Sequence, residues 1–247
     1  MDAHDFAQRW MIPIERAKRT VKKTSQRGIR KVLHPGSSIR RPTNDRILRY
    51  PRLPYDVFTD TLIAGTFFKR GKKYSQVFGT SFGWTRSYPM ATKVQAHEAL
   101  SLLFKRDGVP PTMISDGSKE QAFKKEFRNK LRDACCHYKQ LEPYSPHSNA
   151  DEMNIHELKR GSSRKMIKKQ SPKKLWDHFL ELESLICSHT AHDHFPLNWG
   201  VPETLMKGAG SDTSNISEYE WYEWLKCLHT VCTYPDNKWV LGRVRVL

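Results

Sequence analysis

Acidic residues are scarce: 26 Asp and Glu stand against 42 Lys and Arg, a formal net charge of +16 over 247 residues. A chain this basic usually meets a polyanion, most often nucleic acid. An acidic protein or an anionic membrane surface is the plainer alternative. Cysteine is also sparse. Cys135, Cys136, Cys187, Cys227 and Cys232 are odd in number, and no two form a C-x-x-C pair. That argues against a disulfide framework and against a cysteine zinc site. No apolar run approaches the roughly 20 residues of a membrane span, so no membrane partner is expected. The start, MDAHDFAQRW, has no apolar signal core, and the expected location is intracellular. Internal repeats and long low-complexity segments are missing too.

What is present divides the chain into three. Residues 1–50 are the most basic part and form a basic helical N-terminal region. Phe6 to Trp10 reads as one helix; Pro13 restarts the chain, and Ile14 to Ser25 reads as a second. Two short helices with Arg16, Arg19, Lys22 and Lys23 on the second are a candidate DNA-binding helix-turn-helix. A basic arm lying along phosphates or solvent is equally compatible. The run from His34 through Pro35 and Gly36 to Pro42 reads as a linker.

Residues 51–195 read as a core with the order β-β-β-α-β-α-β-α-α, an α/β fold with a mixed sheet. VFTDTLIAG is a strand, and KYSQVFGTSFGWTRSYPMAT holds two more around Gly79 to Gly83. KVQAHEALSLLFKRDG is an amphipathic helix ended by Gly108. PPTMISDG and CHYKQLEPY are short strands, separated by a helix with Phe123, Phe127 and Leu131 on one stripe. Asn149 to about Lys169 and Lys174 to about His189 are helices. Residues 196–247 form a connecting segment and the truncated start of a small β domain, with VLGRVRVL strand-like.

Three acids stand at element ends or strand middles. Asp60 lies in the first strand, Asp116 closes the fourth, and Glu152 opens a helix after the loop EPYSPHSNAD. Residues 117 to 151, 35 in all, separate Asp116 from Glu152. In α/β sheets ligands collect at strand ends. Carboxylate oxygen suits Mg²⁺ or Mn²⁺, and two such ions can drive displacement at a phosphodiester. Each acid also has a bland reading. Asp60 is a polar strand residue, with Asp56 competing on the same side. Asp116 is a turn residue before Gly117. Glu152, or Asp151 beside it, answers the positive start of a helix.

The motifs resemble the integrase catalytic core of retroviruses and retrotransposons, above all copia-type (Pseudoviridae-like) LTR-retrotransposon integrases, over roughly residues 55–195. The family's S-D-N-G-x-E-F stands here as Ser115-Asp116-Gly117-Ser118-Lys119-Glu120-Gln121, and its P-Y-S-P-x-x-N-x-x-x-E is similar to Pro143-Tyr144-Ser145-Pro146 through Asn149 to Glu152, with two residues instead of three between Asn149 and Glu152. Val57-Phe58-Thr59-Asp60 matches the first motif, and Gly83 to Met90 is similar to its aromatic third strand. Gly117, Ser118 and Gln121 depart from the pattern. The resemblance implies a ribonuclease H-like core with a DDE triad. Asp60, Asp116 and Glu152 would be catalytic and metal-binding, with Mg²⁺ or Mn²⁺ as cofactor. The reaction would be DNA 3′-end processing and strand transfer by a homo-oligomer in the nucleus. No zinc is expected, because only His4 and His34 and no cysteine precede Asp60. His156, Lys159, Arg160, Arg164 and Lys165 are the expected DNA contacts, against a bland reading as a solvated basic face. The rival function is a catalytically inactive or co-opted nucleic-acid-binding remnant of a retrotransposon polyprotein; a nuclease of the same fold from outside transposons lacks the Tyr144-Ser145-Pro146 motif. His192-Asp193-His194 reads as a polar loop. Trp221, Tyr222 and Trp224 read as packing for the small β domain rather than base-stacking groups.

Overall fold

The computed structural model describes residues 2–26, 50–65, 71–116, 125–141, 150–193, 195–208, 210–213, 216, 224–229 and 238–243. Of Ala150, Asp151 and the segments from 224 onward, it describes the backbone alone. The linker around His34 to Pro42, the motif residues Gly117 to Gln121, the loop Pro143 to Asn149, His194, Trp221 and Tyr222 lie outside the described residues.

The core is a five-stranded mixed sheet in the order β3-β2-β1-β4-β5. Strand β1 (Val57–Ile63) runs antiparallel to β2 (Tyr74–Gly79), and β2 antiparallel to β3 (Thr85–Met90). Strands β4 (Thr112–Ser115) and β5 (His137–Gln140) continue parallel to β1. Connections into the parallel half need crossovers, and helices supply them. They are α3 (Ala96–Arg106) before β4 and α4 (Lys125–Asp133) before β5. This is the expected element order.

The apolar residues of α3 and α4 fall at helical spacing and face one side of the sheet. Leu100, Leu103, Phe127 and Leu131 are buried with Val57, Phe78 and Met113. Each such side chain contributes about 1.5–3 kcal/mol on burial. Thr92 and Gln95 form a capping box ahead of α3. Gly108 follows α3 at φ 129°, and a Cβ there would stand 2.7 Å from the Pro51 carbonyl. Only glycine lets the segment at Pro51–Leu53 bridge to Val109.

The other side of the sheet is covered by α5 (Ala150–Lys168) and α6 (Trp176–His189). Ile155 and Leu158 of α5 and Leu180 of α6 meet Leu62 and Val77 of the sheet. Helices α1 (Ala3–Trp10) and α2 (Ile14–Lys23) are not a free arm. Phe6, Trp10 and Ala17 are buried against Ile186 of α6, and the Ala191 amide donates to Thr20 Oγ1 at 2.9 Å. The stripe of Phe6, Trp10, Ala17 and Val21 is the cause: solvent exposure would cost that burial. After α6, a short α7 (Pro202–Lys207) packs back onto it. Further on, β6 (Trp224–His229) and β7 (Lys238–Arg243) form an antiparallel pair of their own.

Candidate active site

Strand pairing sets two of the three acids side by side. Thr59 of β1 is level with Ser115 of β4 in the parallel register. One residue on, Asp60 and Asp116 leave the paired stretch together. Asp60 lies opposite Val77 of β2 and shares a face with Leu62, two residues away. That is the face that α5 covers. Ile155 and Leu158 press α5 onto Leu62 and Val77, which fixes the start of the helix, and Glu152 with it, over the same edge.

The electrostatics of Asp60 report this neighbourhood. Burial pushes its carboxyl above the ordinary range. The Thr61 amide, donating to Asp60 Oδ1 at 2.6 Å, pulls it back. Asp116 and Glu152 push it up further by like charge, and Lys159 opposes them. So one half-buried carboxylate feels two exposed ones and one cation. Among the described residues no three His, Cys, Asp or Glu side chains already converge to grip an ion. The two findings are compatible, because charge coupling reaches well beyond the roughly 2.0–2.6 Å of an oxygen–metal bond. The donor set is all carboxylate, which is the chemistry a hard divalent cation takes.

No protein-family model matches the chain, and no curated protein does. Solved structures do. A chain of the simian T-cell lymphotropic virus intasome, in complex with PP2A regulatory subunit B56 gamma, matches 80% of this chain and 70% of its own length, with TM-score 0.52 and 16% identity. The catalytic core domain of BIV integrase matches 62% of this chain and 93% of its own, with TM-score 0.48 and 12% identity. The intasome match, together with the β3-β2-β1-β4-β5 sheet, decides the architecture. The fold is that of a ribonuclease H-like integrase core.

Within this integrase-core fold the expected basic residues separate. His156 and Lys159 are exposed on α5, one and two turns beyond Glu152. Arg160 is exposed, with Glu157 3.7 Å away. Arg164 is exposed and donates to the Met11 carbonyl at 3.2 Å. Lys165 corrects the sequence reading. Its side chain is 2% exposed and is paired with Glu183 of α6, itself 7% exposed, so it cannot meet a phosphate. The burial was legible in part, because Lys165 continues the buried stripe Leu158–Ser162 at helical spacing. Its partner, on another helix, was not.

On α2, Lys22 and Lys23 are exposed and Arg16 is half-buried. Arg19 lies over the Trp199 ring, 5.2 Å from its centroid. Sequence reasoning passed over a second charged group entirely. Arg86 of β3 is buried between Asp107, 3.2 Å away, and Glu203 of α7, 2.6 Å away. Trp84 Nε1 also donates to Glu203, at 2.8 Å. Lys207 joins both acids at 3.0 and 2.7 Å. Nothing in local sequence announces a pair 117 residues apart. Among the described residues no helix is long and apolar enough to cross a membrane.

Proposed function

We propose that this chain is a copia-type retrotransposon integrase, acting on DNA ends and a target duplex by phosphoryl transfer. The observation that supports the reading is the β1–β4 register, which sets Asp60 beside Asp116 on the sheet edge that the start of α5 covers. Repulsion among three carboxylates is what a bound divalent cation relieves. Asp60, Asp116 and Glu152 would hold Mg²⁺ or Mn²⁺, which when bound activates the attacking oxygen and stabilises the leaving one.

In the first reaction a water oxygen bonds to a phosphorus near the 3′ end. The bond from that phosphorus to the preceding O3′ breaks and frees a 3′-hydroxyl. In the second, this hydroxyl bonds to a target phosphorus, and the target's own O3′ leaves. In both, the attacking oxygen displaces the leaving O3′ at phosphorus directly, and its proton passes to solvent while the leaving oxygen takes one up, so no covalent protein intermediate is needed. Lys159, beside the carboxylates, binds a phosphate flanking the reacting one, and His156 and Arg160 extend the contact along α5. Joining two ends to one target calls for several protomers, and the work would lie in the nucleus.

The rival reading is a DNA-binding remnant without activity. Incubation with a duplex 5′-labelled on the processed strand and a plasmid target, in Mg²⁺ or Mn²⁺, separates the two. The integrase reading expects trimmed and joined products, reduced at least about a thousandfold in Asp116→Asn, the scale of losing a transition-state contact of about 4 kcal/mol. Salt-sensitive DNA binding with no product from either protein would establish the remnant.

A further inference from the structure

A cavity of about 510 Å³ opens where the N-terminal helices meet α5 and α6. It starts at Met153, one residue past Glu152, and runs along α5 away from the carboxylates to Arg164. Its volume lies within the roughly 300–1,000 Å³ of small-ligand sites. The walls are of two kinds. Ile12, Pro13, Leu158 and Ile186 give an apolar lining, and Arg16, Arg160 and Arg164 give three guanidinium groups.

The charges facing the cavity are unequal. Glu183 also lines it, but the buried Lys165 neutralises that carboxylate. Glu157 is the other acid, 3.7 Å from Arg160 on an exposed pair. Such a pair is worth little in water. Arg16 is half-buried and lines the same cavity as Cys187. Arg164 spends one bond on the Met11 carbonyl, and a guanidinium has donors to spare. Two arginines thus exceed what the acids balance.

A site with excess guanidinium beside aliphatic walls suits a ligand with an anionic end and a flat apolar body. Guanidinium groups bind phosphate bidentately and also stack on planar rings. We propose that this cavity binds a nucleoside phosphate, either free or as the terminal nucleotide of a DNA strand. Because α2 supplies one wall and α5 the other, occupancy also ties the N-terminal helices to the core. This site does not depend on the carboxylates being catalytic.

The test uses the full chain with methyl-labelled isoleucine and leucine, titrated with thymidine monophosphate, inorganic phosphate, or a short 5′-phosphorylated single strand. The proposal expects saturable shifts at Ile12, Leu158 and Ile186. Affinity for the nucleotide should exceed that for inorganic phosphate, and should fall about tenfold or more in Arg16→Ala and in Arg164→Ala. Asp116→Asn should bind unchanged, which separates this site from the carboxylates. Shifts with the free nucleotide assign a soluble ligand; shifts with the strand alone assign a DNA end. Overturning results are an absence of shifts at these methyls with either ligand, or equal affinity for inorganic phosphate. Binding that survives both arginine changes would overturn it as well. Gln variants at the two arginines, with unchanged unfolding temperature, guard against a loss that merely reflects undocking of α2.

Discussion

Lys159 and Lys165 stand six residues apart on α5 and serve different ends. Lys159 is exposed beside the carboxylates, whereas Lys165 is sealed against Glu183. Lys159→Ala is expected to weaken DNA binding and flatten its salt dependence by about one phosphate contact, with little change in stability. Lys165→Ala is expected to do the reverse, costing about 3–5 kcal/mol by leaving Glu183 buried and alone. Parallel salt titrations and denaturant curves read both. Gly161 belongs to the same joint, because an added Cβ would collide with the Glu183 carboxylate. Gly161→Ala would normally gain helix propensity. Here overpacking of about 1–3 kcal/mol should win, and chemical denaturation gives the sign. Glu152 was singled out by its spacing after Asp116, and the structure places it in the first turn of α5. The fate of Lys165 was half-legible: the buried stripe marks its direction, and only the fold supplies its partner.

Elements were more legible than their attachments. Alternating strand residues and the Leu100–Leu103 stripe gave the order of the core because burial on one face imposes period on sequence. The docking of α1 and α2 was obscured by their charge, which dominates composition while Phe6, Trp10 and Ala17 settle the packing. Helix α7 is held by a buried ionic cluster with no local signature. Burial alone would raise the Glu203 carboxyl from 4.5. Arg86 chiefly, then His189 and Lys207, overcome this and hold it down to about 2. A depressed carboxyl contributes stability above its unfolded pKa and loses it as the pH falls through the folded one. The melting temperature should therefore drop between about pH 4.5 and pH 2 as this contribution disappears. Glu203→Gln should start lower at neutral pH and show a shallower acid loss over the same window. A pH series of thermal melts on both proteins checks this.

At the scale of the whole molecule, the net charge of +16 suits a polyanion. Under the proposed function, that positive field would gather a DNA backbone around the carboxylates. In the proposed function Asp60, Asp116 and Glu152 act as one cation centre. The sheet register brings the first two together; Glu152 arrives only through the packing of α5. Electron paramagnetic resonance of Mn²⁺ added to the full chain counts bound ions directly. Saturable binding is expected, weakened at least about tenfold, or about 1.4 kcal/mol, in each of Asp60→Asn, Asp116→Asn and Glu152→Gln. Mn²⁺ binding that is the same in all four proteins would contradict it.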